Sequence, residues 1–154
     1  MATTRSAKPE DLPVLLEFEQ GIIDAERPFD QTLKDGHISY YDLGAFIEAK
    51  NVEVLVAEAD GQIIASGYIK IEQGKAYHKH DRYGYIGFVY VRPEYRGKGV
   101  VQQIINGLNN WAKSQGISEV RLDVYAENDS AVRAYEKAGF GKNLVEMRID
   151  LTKH

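Results

Sequence analysis

Apolar and polar residues follow helical spacing at the start of the chain and strand spacing further on. After the acidic turn Pro9-Glu10-Asp11, helical spacing predicts a first helix through Leu12, Leu15, Leu16 and Phe18. A short strand is predicted before it, near Thr4–Ala7. Residues 21–50 are mixed, and here the pattern predicts a loop at Arg27-Pro28-Phe29-Asp30 and a helix over Tyr41–Ala49.

From Val52 onward, β-branched residues and period-two alternation predict three consecutive strands. Two of them flank Asp60-Gly61, a pair that strongly favours a hairpin turn. The third, Tyr85–Val91, follows a polar stretch. We therefore expect three antiparallel strands in sequence order.

The remainder of the chain alternates between helix and strand patterns. A helix that stops at Gly116 is predicted from apolar residues at helical spacing, namely Val101, Ile104, Ile105, Leu108, Trp111 and Ala112. There follow a strand over Glu119–Ala126, a short helix between Asn128 and Gly139, and a last strand near Leu144–Leu151. A strand, helix and strand in this order predict two parallel strands, so the fold class is α/β (α+β) with a mixed central sheet and flanking helices.

Composition limits the class of protein. At 154 residues, with 44% hydrophobic and 27% charged residues, the chain is expected to be one domain over residues 1–154. It has no cysteine, which excludes a disulfide framework and a thiol nucleophile. No apolar stretch resembles a signal or a membrane span, so we expect a cytoplasmic protein without a membrane partner. A net charge of -4 favours a small phosphate ligand over nucleic acid.

The junction between the third strand and the next helix is the first candidate site. Its glycines, Gly97 and Gly99, carry no Cβ atoms, so a diphosphate can approach the main chain and the free N–H groups of the helix start. Arg96 and Lys98 add positive charge to the helix N-terminus. An ordinary solvated turn is the alternative interpretation of these residues.

Two motifs together resemble those of the GNAT superfamily of acyl-CoA-dependent N-acetyltransferases. Arg96-Gly97-Lys98-Gly99-Val100-Val101 matches the Q/R-x-x-G-x-G/A pattern except at Val101, where a small residue is usual. A second signature follows in the expected order: Asn128, Ala131, Tyr135 and Gly139-Phe140. The resemblance covers about Val52–Leu151, whereas the N-terminal third matches only in its general layout of strand and helices.

The resemblance implies a single-domain GNAT-like fold and transfer of an acetyl group from acetyl-CoA to a primary amine, with homodimer formation also consistent. The pyrophosphate would lie on the backbone amides of Arg96, Gly97, Lys98, Gly99, Val100 and Val101. The pantetheine arm would pair with the strand Val89, Tyr90 and Val91, and a backbone N–H near Tyr90 or Val91 would meet the oxyanion. Tyr135 would protonate the departing thiolate, and Asn128 would cap its helix or bond the pantetheine.

The general base is less well defined by the sequence. Glu72, at the end of the second hairpin strand, is the tentative base, and Glu26, expected in the N-terminal loop, is a further candidate; either could also be a solvated surface charge. His78 and His80 lie between strands and could accept an amine proton. Their H-x-H spacing has no cysteine and no obvious third ligand beside it, so no metal is expected.

The N-terminal third is where the acceptor amine would bind according to the resemblance. Aromatic residues and carboxylates there suit a cationic amine, while Arg27 suits a substrate carboxylate; packing of lid helices is the third interpretation. A non-catalytic acyl-CoA-binding sensor is the alternative function. A nucleotide hydrolase is disfavoured because the loop lacks the G-x-x-x-x-G-K-[ST] spacing.

Overall fold

A computed structural model describes residues 2–154, which divide into two compact units at Asp123–Val124. The first unit holds five strands: β1 (Thr3–Ser6), β2 (Val52–Ala59), β3 (Gln62–Gln73), β4 (Arg82–Val91) and β5 (Val120–Leu122). It also holds three helices: α1 (Leu12–Glu26), α2 (Leu43–Glu48) and α3 (Val100–Ser114). The second unit holds α4 (Asp129–Lys137).

The five strands form one sheet in the order β1-β2-β3-β4-β5. The three pairs β1–β2, β2–β3 and β3–β4 are antiparallel, and β4 pairs with β5 in parallel. The β2–β3 hairpin turns at Asp60 and Gly61, whose φ angles of 53° and 75° fit the predicted Asp-Gly turn. The mixed sheet and its parallel pair confirm the predicted fold class.

Helices cover both faces of the sheet in the first unit. On one face, α3 packs so closely that a Cβ on Gly67 of β3 would lie 2.7 Å from Ile104 Cγ2. On the other face, one apolar cluster unites residues of α1, α2 and the strands, namely Leu15, Phe18, Ile22, Leu43, Val52, Val54, Val56, Tyr68 and Phe88. The second face is the one that carries the polar side chains described below.

A bulge in β4 is the main irregularity of the sheet. Between Ser66 and Tyr68 the pairing of β3 advances two residues, while β4 advances three, from Gly87 to Tyr90. Phe88 lies in this bulge with φ 59°, and its side chain is only 2% exposed. The ladder between β4 and β5 ends at Ile86 and Leu122, next to the bulge. The edge of β4 from Gly87 onward therefore has no β5 partner.

The start of α1 is fastened to β1 by a buried carboxylate. Asp11 accepts hydrogen bonds from Arg5 Nη1 and Nη2 at 2.8 and 3.1 Å, and from the Lys8 N–H at 2.7 Å. The Arg5 guanidinium holds the pKa of Asp11 below its ordinary value. These bonds fix the direction in which α1 leaves the sheet edge.

The C-terminal region departs from the predicted pattern. Residues 141–150 form no strand, so the predicted last strand near Leu144–Leu151 is wrong. A strand requires a neighbour for its backbone hydrogen bonds, and the apolar residues here lie exposed, with Leu144 and Met147 exposed by 90% and 89%. The predicted strand over Glu119–Ala126 is also shorter, covering Val120–Leu122 only. No helix within residues 2–154 is both long and apolar enough to cross a bilayer.

Candidate functional site

The glycine turn has the backbone conformation that its two glycines permit. Gly97 and Gly99 have φ angles of 75° and 79°, a region that L side chains rarely adopt. A Cβ on either glycine would meet nothing within 4 Å, so both face open space. Gly99 is the N-cap of α3, and no side chain caps this helix start. Backbone N–H groups in the first turn of α3 therefore have no partner within the helix.

The open edge of β4 leads directly into this turn. The Arg92 N–H donates to the Ile64 carbonyl of β3 at 2.8 Å, so the polar groups of the preceding Val91 point to the other side. The Val91 carbonyl accepts a hydrogen bond from Arg96 Nε at 3.0 Å. Arg96 also lies over the Tyr90 ring, 5.8 Å from its centroid. A cationic side chain therefore stands where the strand edge meets the glycine turn.

The side chains around this edge face opposite sides of the sheet. Val89 lies 3.8 Å from the Cβ position of Gly67, on the α3 face. Tyr90 packs its ring 4.7 Å from that of Phe18, and its Cε1 lies 2.8 Å from the Cβ position of Gly21 in α1. The Tyr90 side chain therefore packs against α1. The predicted pairing of Val89–Val91 with a pantetheine arm would be made by their backbone groups.

In the second unit, Asn128 and Tyr135 occupy the beginning and the last turns of α4. Asn128 is the N-cap, and its Oδ1 accepts the Ala131 N–H at 3.3 Å. Tyr135 packs its ring edge-on against Phe140 with centroids 6.2 Å apart. The predicted cap is present, and a half-buried Tyr135 belongs to the same short helix.

An aromatic cluster lies beside the bulge, on the face of the sheet that α1 and α2 cover. The Tyr41 ring makes edge-to-face contacts with Tyr68 and Phe88, at centroid distances of 5.3 and 5.6 Å. The Tyr68 hydroxyl reaches the bulge, because it lies 2.7 Å from where a Cβ on Gly87 would be. Tyr85 extends the cluster toward β5, and its hydroxyl is 3.0 Å from Asp123 Oδ2.

The tyrosines of this cluster remain protonated at neutral pH. Burial, with the charge of Glu72, raises the pKa of Tyr68 to about 12. Burial is also the main cause that raises the pKa of Tyr41 and of Tyr85 above their usual range, with Asp123 adding to the rise for Tyr85. Their hydroxyls can donate hydrogen bonds but do not supply a base.

Glu26 is the carboxyl group of this region with a raised pKa. It is the last residue of α1, not a loop residue, and is half-buried. Burial raises its pKa, the charge of Asp30 adds to the rise, and the nearby Tyr40 side chain opposes it. Its charge also reaches Tyr41 and Tyr85. A carboxyl group with these neighbours can exchange protons with a bound amine.

Glu72, the tentative base from the sequence, lies on the same face of the sheet near the end of β3. Its side chain is 38% exposed and forms an ion pair with Lys70 at 3.4 Å. It acts on the Tyr68 hydroxyl through its charge. The structure therefore brings both candidate carboxylates to one aromatic cluster, and burial raises the pKa of Glu26.

Arg27 and His80 have polar partners within the chain. Arg27 donates to the backbone carbonyls of Lys34 and Gly36 at 2.8 and 2.6 Å. His80 lies in the β3–β4 loop, 3.4 Å from Glu119 Oε1 and 3.3 Å from Ser118 Oγ. Among residues 2–154, no group of three or more His, Cys, Asp or Glu side chains could hold a metal ion.

Sequence analysis did not identify Glu19, Tyr68, Tyr85 and Asp123 as part of this region. Glu19 had a detectable signal, because it stands four residues after Leu15 and three before Ile22, on the apolar stripe of α1. A carboxylate on a buried helix face needs hydrogen-bond donors around it.

The chain matches one protein-family model. Residues 20–140 match the model described as the Acetyltransferase (GNAT) family. The uncharacterized N-acetyltransferase YobR of Bacillus subtilis is 43% identical over 60 residues, 39% of this chain and 24% of that protein. Acetyltransferase ECA0875 of Pectobacterium atrosepticum is 32% identical over 104 residues, 61% of this chain and 67% of the relative. The match thus spans about a quarter of the first relative's length and two thirds of the second's.

Solved structures share the architecture over almost the whole chain. The tetramutant of the BH1408 protein from Bacillus halodurans superposes with a TM-score of 0.84 at 19% identity, covering 96% of this chain and 99% of that one. A predicted acetyltransferase from Clostridium acetobutylicum, solved with acetyl-CoA, gives a TM-score of 0.72 at 22% identity and covers 100% and 99%. At these identities the likeness establishes the shared fold.

Proposed function

This chain belongs to the GNAT family of acetyltransferases, and we propose that it transfers an acetyl group from acetyl-CoA to a primary amine. One observation carries the proposal: β4 separates from β5 beside a bulge, and its open edge leads into a glycine turn at the start of α3. An extended amide-containing arm suits the strand edge, and a pyrophosphate suits the turn.

The donor site is proposed at the residues that the two motifs indicate. The first-turn N–H groups of α3 and the positive-φ glycines suit the pyrophosphate, since nothing occupies the space that their Cβ atoms would take. The backbone of Val89–Val91 suits the amides of the pantetheine arm. Acetyl-CoA supplies an activated thioester carbonyl, whose oxyanion a β4 backbone N–H near Tyr90 or Val91 would stabilise.

The proton transfers are assigned to two groups. The amine nitrogen forms a bond to the acetyl carbon, the carbon–sulfur bond breaks, and the amine proton must be removed. We assign that proton to Glu26, because burial raises the pKa of this carboxyl group and makes it a stronger proton acceptor than an exposed carboxylate. Tyr135 is proposed to protonate the departing thiolate, as its position in the second motif implies.

The acceptor is proposed to be an amine without a neighbouring carboxylate. Arg27 was the residue that favoured a substrate carboxylate, but its guanidinium is occupied by two backbone carbonyls. What remains around the tyrosine cluster are Glu26 and Asp123, which form none of the ion pairs described within residues 2–154. Carboxylates and aromatic rings together favour a positively charged acceptor.

Release of CoA thiol from acetyl-CoA, with three amines that share a four-carbon chain, tests this assignment. Putrescine, butylamine and γ-aminobutyrate differ only in the far end of the chain, which is positive, neutral or negative. We expect kcat/KM to fall in that order, by about tenfold from first to last, because carboxylates attract the first and repel the last. A preference for γ-aminobutyrate would contradict the assigned acceptor class. Tight acetyl-CoA binding in calorimetry with no amine-dependent release would instead indicate the non-catalytic sensor.

A further inference from the structure

Glu19 is a buried carboxyl group that the proposed chemistry does not use. Its side chain is 1% exposed, on the face of α1 that also buries Leu15, Ile22 and Ile23. A carboxyl group in such surroundings is costly unless hydrogen-bond donors surround it. The groups that donate hydrogen bonds to Glu19 therefore indicate its role.

Both donors are consecutive backbone groups of the segment before α2. The N–H groups of Tyr40 and Tyr41 donate to the same oxygen, Glu19 Oε2, at 2.9 and 2.8 Å. The neighbouring Gln20 adds a third bond, from Nε2 to the Ile38 carbonyl at 2.9 Å. The segment 38–41 is thus held on α1 by side chains, without being part of a helix or strand.

The two tyrosines on this segment reach the two parts of the proposed acceptor region. The Tyr40 side chain lies close enough to Glu26 to lower the pKa of its carboxyl group. The Tyr41 ring packs edge-on against Tyr68 and against Phe88 in the bulge. The Tyr40 and Tyr41 side chains thus form one wall, which extends from Glu26, the proposed base, to the bulge where the edge of β4 loses its β5 partner. Glu19 holds the backbone of both tyrosines.

We propose that Glu19 is a positioning residue for acetyl transfer, which fixes the Tyr40–Tyr41 wall between Glu26 and the Phe88 bulge through its two backbone hydrogen bonds. The inference rests on the proposed function, because Glu26 is the base only there. Loss of Glu19 is therefore expected to affect binding of the acceptor amine and removal of its proton, and to have much less effect on binding of acetyl-CoA.

The proton behaviour of Glu26 gives this role a distinct signature. Four groups face Glu26: Asp30, Tyr40, Tyr41 and Tyr85. Of the two that act on its own pKa, Asp30 raises it and Tyr40 lowers it. Removal of the Tyr40 hydroxyl alone takes away the group that lowers the pKa of Glu26, so that pKa rises. Release of the whole segment exposes Glu26 to solvent, and because burial is the largest cause of the raised pKa, the pKa then falls toward its ordinary value. Because the base must be ionised, the acid limb of kcat/KM moves in the same direction as the pKa of Glu26.

The experiment compares pH profiles of CoA release for the wild type, Glu19→Ala, Glu19→Gln and Tyr40→Phe. We expect Tyr40→Phe to move the acid limb to higher pH and Glu19→Ala to move it to lower pH, and Glu19→Ala to raise the amine KM by about tenfold or more. Glu19→Gln should restore the wild-type profile, because both bonds end on one oxygen that a glutamine carbonyl can replace. The acetyl-CoA dissociation constant should change by less than about threefold in all of them.

Leu55→Ala is the control for lost stability alone. Leu55 is buried in β2 and faces α3, away from segment 38–41. The Leu55→Ala variant should therefore have a lower melting temperature and an unmoved acid limb. An unshifted acid limb in both Glu19→Ala and Tyr40→Phe would overturn the positioning role. Should Glu19→Ala fail to fold, Tyr40→Phe and Glu19→Gln still decide the matter. A Glu26→Gln variant that keeps the wild-type acid limb would instead overturn the proposed base.

Discussion

Phe88 shows at the scale of one residue how the strand edge opens. It is one of two non-glycine residues with positive φ among residues 2–154, and this conformation costs on the order of 1 to 3 kcal/mol. Burial of its side chain to 2% exposure recovers about 1.5 to 3 kcal/mol. The bulge is therefore sustained by packing of the Phe88 ring against Tyr41, and an unpaired edge of β4 follows from it.

A substitution at Tyr135 tests the leaving-group role. Tyr135→Phe removes one hydroxyl and keeps the ring that packs against Phe140. If that hydroxyl protonates the thiolate, kcat should fall by about 100-fold or more, while the acetyl-CoA dissociation constant changes little. Steady-state kinetics and calorimetry on one preparation measure both. A wild-type kcat would exclude Tyr135 as the acid.

Some residue roles could be predicted from sequence and others could not. The Asn128 cap follows from local chemistry, because a short polar side chain before a helix accepts a first-turn N–H. Arg27 could not be interpreted, because its partners are backbone carbonyls of Lys34 and Gly36, which carry no sequence signal. Glu26 owes its raised pKa mainly to burial, with the charge of Asp30 adding to it, and the sequence alone does not show that burial.

At the scale of elements, the glycine turn joins β4 to α3 and presents the helix start. Gly99→Val adds a side chain where there is now open space, so we expect the acetyl-CoA dissociation constant to rise by about tenfold or more. The left-handed conformation adds strain of about 1 to 2 kcal/mol in the folded state. Calorimetry of the donor, beside a thermal unfolding curve, separates the two effects.

Gly36→Val is the matched control for the turn. Gly36 also has φ 79° and open space around its Cβ position, but it lies in the loop between α1 and α2. It should show similar strain and an unchanged dissociation constant for acetyl-CoA. Equal affinity loss in both variants, or none in Gly99→Val, would place the pyrophosphate elsewhere.

Elements with strong local signals were predictable, and those that depend on distant partners were not. The Asp60-Gly61 turn and the apolar stripe of α3 determine their structures locally. The bulge was hidden, because Phe88 and Val89 are both apolar and the strand reads as continuous. The predicted strand near Leu144–Leu151 alternates correctly, but alternation does not supply a neighbouring strand.

Across the whole molecule, the positive charge that would attract the proposed donor must come from one local region. The net charge of -4 gives no general attraction to a polyanion. The attraction therefore comes from the start of α3 with Arg96 and Lys98 on the turn before it. Acidic and aromatic groups lie instead at the cluster around Tyr41 and Tyr85. The proposed donor and acceptor sites therefore differ in charge, the first suited to an anion and the second to a cation.

The most direct test of acetyl transfer is the mass spectrum of products after incubation of the enzyme with acetyl-CoA and putrescine. We expect one singly acetylated amine for each CoA thiol released, with both absent when the enzyme or the amine is left out. Free thiol without acetylated amine would mean hydrolysis of the thioester, and the absence of both products would mean that no acetyl group reaches this amine. Either result would contradict the assignment of this chain as an amine acetyltransferase.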